Sequence, residues 1–154
     1  MTETGPGDGF MAAALAEAAA AAARGEVPVG AVLVERASGR VLARAGNEVE
    51  ALADPTAHAE MLAIRRAAAV LGSPRLVGCA LYVTLEPCAM CAQAIALARI
   101  DLLVYGAYDP KGGGVEHGAR VFDQPTCNHR PEVVGGVAER RAAALLRDFF
   151  AARR

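Results

Sequence analysis

The sequence predicts a single α/β domain in which helices cover both faces of one sheet. Three observations lead there. Five short apolar runs bounded by turn-forming residues have strand length, and four longer stretches space their apolar residues at helical intervals. The first two runs are joined by a short turn segment, which makes a hairpin. Two later runs flank a helical stretch, and that strand–helix–strand order requires a right-handed crossover and a parallel pair.

Residues 1–9, with three Gly and one Pro, read as a loose leader to a domain spanning 10–154. Phe10–Arg24 is helical on alanine propensity, with Phe10, Met11, Ala14, Leu15 and Ala18 on one stripe. Val29–Glu35 and Val41–Asn47 form the hairpin around Arg36–Gly39. Asp54-Pro55-Thr56 reads as an N-cap with proline in the first turn. The helix that follows places Ala57, Met61, Ile64, Ala68 and Leu71 on one face and stops at Gly72 and Pro74. Ala80–Thr84 is a strand, Pro87 opens a helix to about Arg99, and Leu102–Tyr105 is the parallel partner. A glycine-rich loop covers Gly106–Phe122, and Glu132–Val134 is a brief last strand. From Val137 onward, Ala138, Ala142, Leu145 and Phe149 mark the core stripe of a final helix.

Composition narrows the function. Sixteen basic against seventeen acidic residues leave a net charge of −1, which excludes a polycationic nucleic-acid arm. An apolar content of 54% excludes disorder, although 36 of the residues are Ala. No stretch approaches the roughly 20 apolar residues of a membrane span. The run Met11–Ala23 carries Glu17 and follows an acidic lead-in (Glu3, Asp8), a poor signal peptide. Four cysteines without export signals point away from a disulfide framework and toward the cytoplasm.

Two clusters carry chemistry: His58-Ala-Glu60 and Pro87-Cys88-Ala-Met-Cys91. Zinc takes imidazole and thiolate ligands, and three protein ligands with one open position is the catalytic pattern. At i and i+3 on a helix, Cys88 and Cys91 share a face, and a first-turn position favours thiolates. His58, in the first turn of its own helix, can reach the same ion because side chains tilt toward the helix start. Glu60 reaches around the same end without being a ligand. Two helix starts converging from neighbouring strand ends lie where open α/β sheets bind ligands.

An H-x-E followed by P-C-x-x-C is the pattern of zinc nucleobase deaminases. The chemistry needs these residue types. Zinc brings the pKa of bound water to about 7, supplying hydroxide to attack an amidine carbon such as C6 of adenine. A carboxylate can take the proton, deliver it to the ring nitrogen and protonate the departing ammonia. Glu60 is the candidate. Simpler readings compete: a C-x-x-C also serves thiol–disulfide exchange or half of a structural zinc site. The latter needs a fourth ligand, for which Cys127, His117 and His129 are candidates. Cys79 reads as a small core residue and Cys127 as a free thiol.

Further segments join these motifs: Gly25–Val34, Asn47, Asp54–Glu60, Leu81–Cys91, Gly106–Gly112, Asn128-His-Arg130 and Leu145–Phe150 with Arg153 and Arg154. With them, residues 10–154 resemble the bacterial tRNA-specific adenosine deaminases, a family within the cytidine/deoxycytidylate deaminase superfamily. The resemblance implies a cytidine-deaminase-like fold with a five-stranded mixed sheet, a homodimer, and conversion of the wobble adenosine of an arginine tRNA to inosine. It implies zinc ligands His58, Cys88 and Cys91, one zinc per subunit, and Glu60 as proton shuttle. Asn47 would bond the flipped nucleotide, Glu26, Pro28 and Val29 would line the pocket, and backbone N–H near Ala57 and Cys88 would contact the base. Asp109 would meet a neighbouring ribose. Lys111, Asn128, His129, Arg130, Phe149, Phe150, Arg153 and Arg154 would serve the loop's other bases and phosphates.

Several of these residues have plainer readings. Phe149 lies on a core stripe, Arg153 and Arg154 could be a solvated tail, Asn47 could end its strand, and Asp109 before Pro110 suits a turn. Tyr108 stands where the family often has a basic residue, and the stretch Gly112–His117 has no assigned role. Residues 109–154 hold eight basic against six acidic residues, a mild bias toward phosphate contact. Two rival functions remain: a free guanine or cytosine (nucleo)base deaminase, and a thiol–disulfide protein using Cys88 and Cys91.

Overall fold

Alternation along the strands builds two apolar layers. Along β1 (Gly30–Glu35), Ala31 and Leu33 face one layer and Val32 and Val34 the other. Leu81 and Val83 alternate likewise with Ala80 and Tyr82 along β3 (Cys79–Leu85), and Leu103 and Tyr105 with Val104 along β4 (Leu102–Ala107). A strand with both faces apolar needs a cover on each side. In the computed structural model, which describes residues 6–153, α1 (Pro6–Ala23) and α4 (Glu139–Ala151) cover one face. Helices α2 (Ala59–Leu71) and α3 (Ala89–Leu97) cover the other. With β2 (Arg40–Gly46) and β5 (Glu132–Val134), the sheet order is β2-β1-β3-β4-β5. The expected sheet of five strands with helices on both faces is what forms.

Strands β2 and β3 both pair antiparallel with β1, whereas β3–β4 and β4–β5 are parallel. The hairpin and the crossover therefore stand as expected. Because β1 opposes both neighbours, β2 and β3 run the same way and end at the same edge of the sheet. They flank β1 and are not adjacent, which corrects the expectation of neighbouring strand ends. The start of β1 occupies the gap, tied there by the Gly30 N–H donating to Thr84 Oγ1 (3.1 Å). Helix α1 presses directly on this start: a Cβ at Gly30 would collide with the Ala14 carbonyl and lie 2.5 Å from the Ala18 nitrogen.

Helix starts differ from the sequence reading throughout: α4 begins at Glu139, two residues after Val137, and three other differences bear on the site or the leader. First, α1 begins at Pro6, so the leader shortens and residues 1–5 lie outside the described residues. Proline suits a first helical position because its missing N–H has no partner there in any case. Second, Asp54 does not cap α2. Its Oδ1 accepts the Thr56 N–H (2.8 Å) and O–H (2.7 Å), closing a local turn, and the helix starts only at Ala59. Third, α3 starts at Ala89, not at Pro87. His58 and Cys88 are thus N-cap residues with extended backbones, one step before the first turns they were expected to occupy. The stop of α2 is as expected, with Gly72 left-handed (φ 64°) and its N–H on the Ala68 carbonyl. The loop after β4 contains a 3-10 turn, Val121–Asp123, that the sequence did not announce.

Candidate metal centre and active-site cavity

The two N-cap positions bring His58 and Cys88 together, and Cys91, one turn into α3, completes the group. No cap hydrogen bond holds the side chain of either N-cap residue. His58 Nδ1 stands 3.6 Å from Cys88 Sγ and 3.5 Å from Cys91 Sγ, and the three ligand atoms all lie within 4.8 Å of one another. A tetrahedral zinc with ordinary Zn–N and Zn–S lengths separates nitrogen from sulfur by about 3.6 Å. The donors fit the ion. The three candidates for a fourth ligand are engaged elsewhere: His117 on Glu86 (2.8 Å), His129 on the Ile100 carbonyl (2.7 Å), and Cys127 on the His129 carbonyl (3.1 Å). Among the described residues the group has three members, which leaves a coordination position open.

Donation from the Cys91 thiol, then from His58 and the Cys91 backbone, holds Cys88 down at about 4. The same hydrogen bond pushes Cys91 up, with burial adding. His58 is raised chiefly by its bond to Cys88. Glu60, buried at 4% exposure, is pushed up to about 7, mainly by burial and further by the charge of Cys88.

These groups open into a cavity of about 480 Å³. Glu26, Val29, Asn47, Asp109, Phe149 and Arg153 line it, along with His58, Glu60 and Cys88. Asn47 does more than end its strand. Its Oδ1 accepts the Ala59 N–H (2.8 Å) at the start of α2, which orients the Nδ2 hydrogens as its remaining donors. The Glu26 carboxylate accepts the N–H groups of Glu50 (3.1 Å) and Ala51 (2.9 Å), so it braces the wall it belongs to. Asp109 is both lining and turn residue, its Oδ1 receiving the Gly112 N–H (2.9 Å). Phe149 is buried, and the Arg153 guanidinium stacks 3.5 Å above its ring.

Other expected contacts are elsewhere. Pro28 is buried outside the described lining, and the Ala57 N–H, expected to touch the base, is committed to the Asp54 carbonyl (3.1 Å). Lys111, Asn128, His129, Arg130 and Phe150 do not line the cavity, and Arg130 makes a 3.8 Å ion pair with Asp123. Arg154 lies outside the described residues. The sequence reading passed over Glu86. This carboxylate, 2% exposed, accepts the N–H groups of Asp109 (3.0 Å), Val115 (3.2 Å), Glu116 (2.9 Å) and His117 (3.0 Å) besides the His117 ring. Burial pushes its carboxyl up, but the Asp109 and other donors outweigh that and hold it below the usual value. A glutamate beside the proline of a P-C-x-x-C, at a strand end, was the available signal.

A three-donor His/Cys/Cys group with an open position, a buried carboxyl beside it, and a cavity at the strand ends define the class of zinc-dependent deaminases. The family model for the cytidine and deoxycytidylate deaminase zinc-binding region matches residues 7–107. The tRNA-specific adenosine deaminase of Agrobacterium fabrum is 58% identical over 145 residues, covering 94% of each chain. That of Bacillus subtilis is 47% identical over 141 residues, 92% of this chain and 86% of its own. A structure from a study of A-to-I editing by tRNA:A34 deaminases superposes with a TM-score of 0.87 at 58% identity, covering 90% of this chain and 99% of that one. A guanine deaminase from Bacillus subtilis superposes at 0.63 with 32% identity, over 94% and 92%. The chain belongs to the family of bacterial tRNA-specific adenosine deaminases.

Proposed function

We propose that the chain hydrolyses the wobble adenosine of an arginine tRNA to inosine. The observation that carries this is the convergence of His58, Cys88 and Cys91 with the buried Glu60 in one cavity. Identities of 58% and 47% to relatives named for that activity support it. His58, Cys88 and Cys91 would hold zinc, which when bound supplies an acidified water at neutral pH. Glu60, near 7, would accept a proton and give it up again at ambient pH, as a carrier between water, purine N1 and the leaving amino group must. Asn47 would present its Nδ2 hydrogens to an acceptor on the nucleotide. A cavity of this size takes one nucleoside turned out of its loop, and the base would enter in that way.

The remaining RNA contacts would fall to Asp109, Phe149 and Arg153 at the cavity, and to Lys111, Asn128, His129, Arg130, Phe150 and Arg154 beyond it. The protein would work in the cytoplasm as a homodimer. No helix among the described residues is long and apolar enough to cross a membrane.

The test is incubation of zinc-loaded protein with an arginine tRNA transcript, reading inosine as an A-to-G change after reverse transcription. An unedited transcript at high enzyme, with zinc confirmed bound, rejects the proposal. The likeness to guanine deaminases favours free-base deamination as the second reading. Ammonia release from guanine or cytosine by protein inert on tRNA would establish it.

A further inference from the structure

The glycine stretch after Asp109, which no functional reading has absorbed, runs across the start of α3. The Gly114 N–H donates to the Pro87 carbonyl (2.7 Å), and the Gly114 carbonyl receives the Val121 N–H (2.8 Å). No helical hydrogen bond fixes the Pro87 carbonyl, because it precedes the N-cap. The strap touches the peptide that carries a sulfur: a Cβ at Gly114 would lie 2.5 Å from the Ala89 nitrogen and 2.7 Å from the Cys88 carbonyl carbon. At Gly113 it would lie 2.5 Å from Glu86 Oε2. Neither glycine has a positive φ, so backbone conformation does not demand glycine there. Close approach does.

The strap is held by Glu86, just past the end of β3, and by Tyr105 of β4. Glu86 gathers the N–H groups of Val115, Glu116 and His117 and the His117 ring, and the Tyr105 hydroxyl of β4 donates to Glu116. A buried carboxylate that receives five donors is a rigid post.

We propose that Glu86 and His117 are positioning residues of the metal site: they pin the Gly112–Gly114 strap on the Cys88–Ala89 peptide and so fix where the Cys88 sulfur stands. This rests on the reading that His58, Cys88 and Cys91 hold zinc. Neither residue touches the ion. Their effect is on the ligand's backbone, one step further out than an ordinary hydrogen bond to a ligand side chain.

The experiment follows zinc transfer from the purified protein to a chromophoric chelator, alongside thermal melting. His117 is partly exposed, so His117→Ala should fold. His117→Ala and Gly114→Ala should hold zinc roughly 10–100-fold more weakly than wild type, the range for losing outer-shell support. His117→Asn, which still offers an N–H toward Glu86, should stay near wild type. Leu15→Val, in α1 on the opposite face of the sheet, serves as a control that lowers the melting point without approaching the strap. Zinc affinity in His117→Ala and Gly114→Ala no weaker than in that control overturns the inference. A wild-type protein that takes up no zinc overturns the metal reading itself, and the two failures are distinguishable.

Discussion

Glu60 and Asn47 separate two kinds of contribution that a single side chain can make. Glu60 is buried, carries no cap and is not a ligand, so its removal should leave the scaffold intact. Glu60→Gln should keep zinc and melting point and lose roughly 10²–10⁴-fold in turnover, read by elemental analysis and single-turnover editing. Asn47 lines the cavity and accepts the Ala59 N–H through Oδ1, which leaves its Nδ2 hydrogens as its side-chain donors. Asn47→Asp keeps the acceptor and loses the donor, so it should melt like wild type and edit poorly. Asn47→Ala should lose about 0.5–2 kcal/mol of stability as well, the usual cost of an uncapped helix start, measured by urea unfolding. His58, Glu60, Cys88 and Cys91 were legible in the sequence because ligand chemistry is written in residue type and short spacing. Glu86 was not. Its partners are mostly backbone N–H groups 23 to 31 residues away, and an N–H group has no residue identity to read.

At the scale of elements, the four α-helices and five strands were legible in the sequence, but helix starts were not, and α2 shows why. Asp54, Pro55 and Thr56 satisfy the local pattern for a cap, yet the Asp54 carboxylate is closed on Thr56. The acceptor at the helix start comes from the end of β2, a tertiary contact invisible to a local pattern. Contact between α1 and β1 is equally non-local, and Gly30 marks it. Gly30→Ala should cost about 1–3 kcal/mol in denaturant unfolding, as overpacking of a close contact does. The loop after β4 should be sensitive to acid. Glu86 titrates below its ordinary 4.5 in the folded chain, so its stabilising effect is complete above 4.5 and is lost as pH falls through the lower, folded value. Amide exchange at Val115, Glu116 and His117, corrected for its intrinsic pH dependence, should therefore accelerate below pH 4.5. In Glu86→Gln it should be fast already and flat across that range.

Over the whole molecule, the hairpin and the parallel crossover were legible in the sequence, but the pairing of β1 with β3 that joins them was not, because it is a contact between segments about 50 residues apart with no local pattern. The residues proposed to face RNA were less accessible. Lys111, Asn128 and Arg130 on loops, and Phe150 on the exposed side of α4, enter through resemblance alone, since an exposed side chain carries no packing pattern. The cavity's charge distribution bears on how any nucleic acid could engage it. Three buried acids, Glu26, Glu60 and Glu86, stand among its walls, and Arg153 is the single arginine of its described lining, at the exposed end of α4. Such a field sorts an incoming ligand by polarity along its own length. For the proposed substrate, the uncharged heterocycle would go to the bottom, while a phosphodiester would be left at the guanidinium outside. Adenosine should accordingly compete with a tRNA substrate better than its 5′-monophosphate does, in inhibition assays at low salt. On the proposed function, the walls would act as an electrostatic sieve that admits a nucleotide head first.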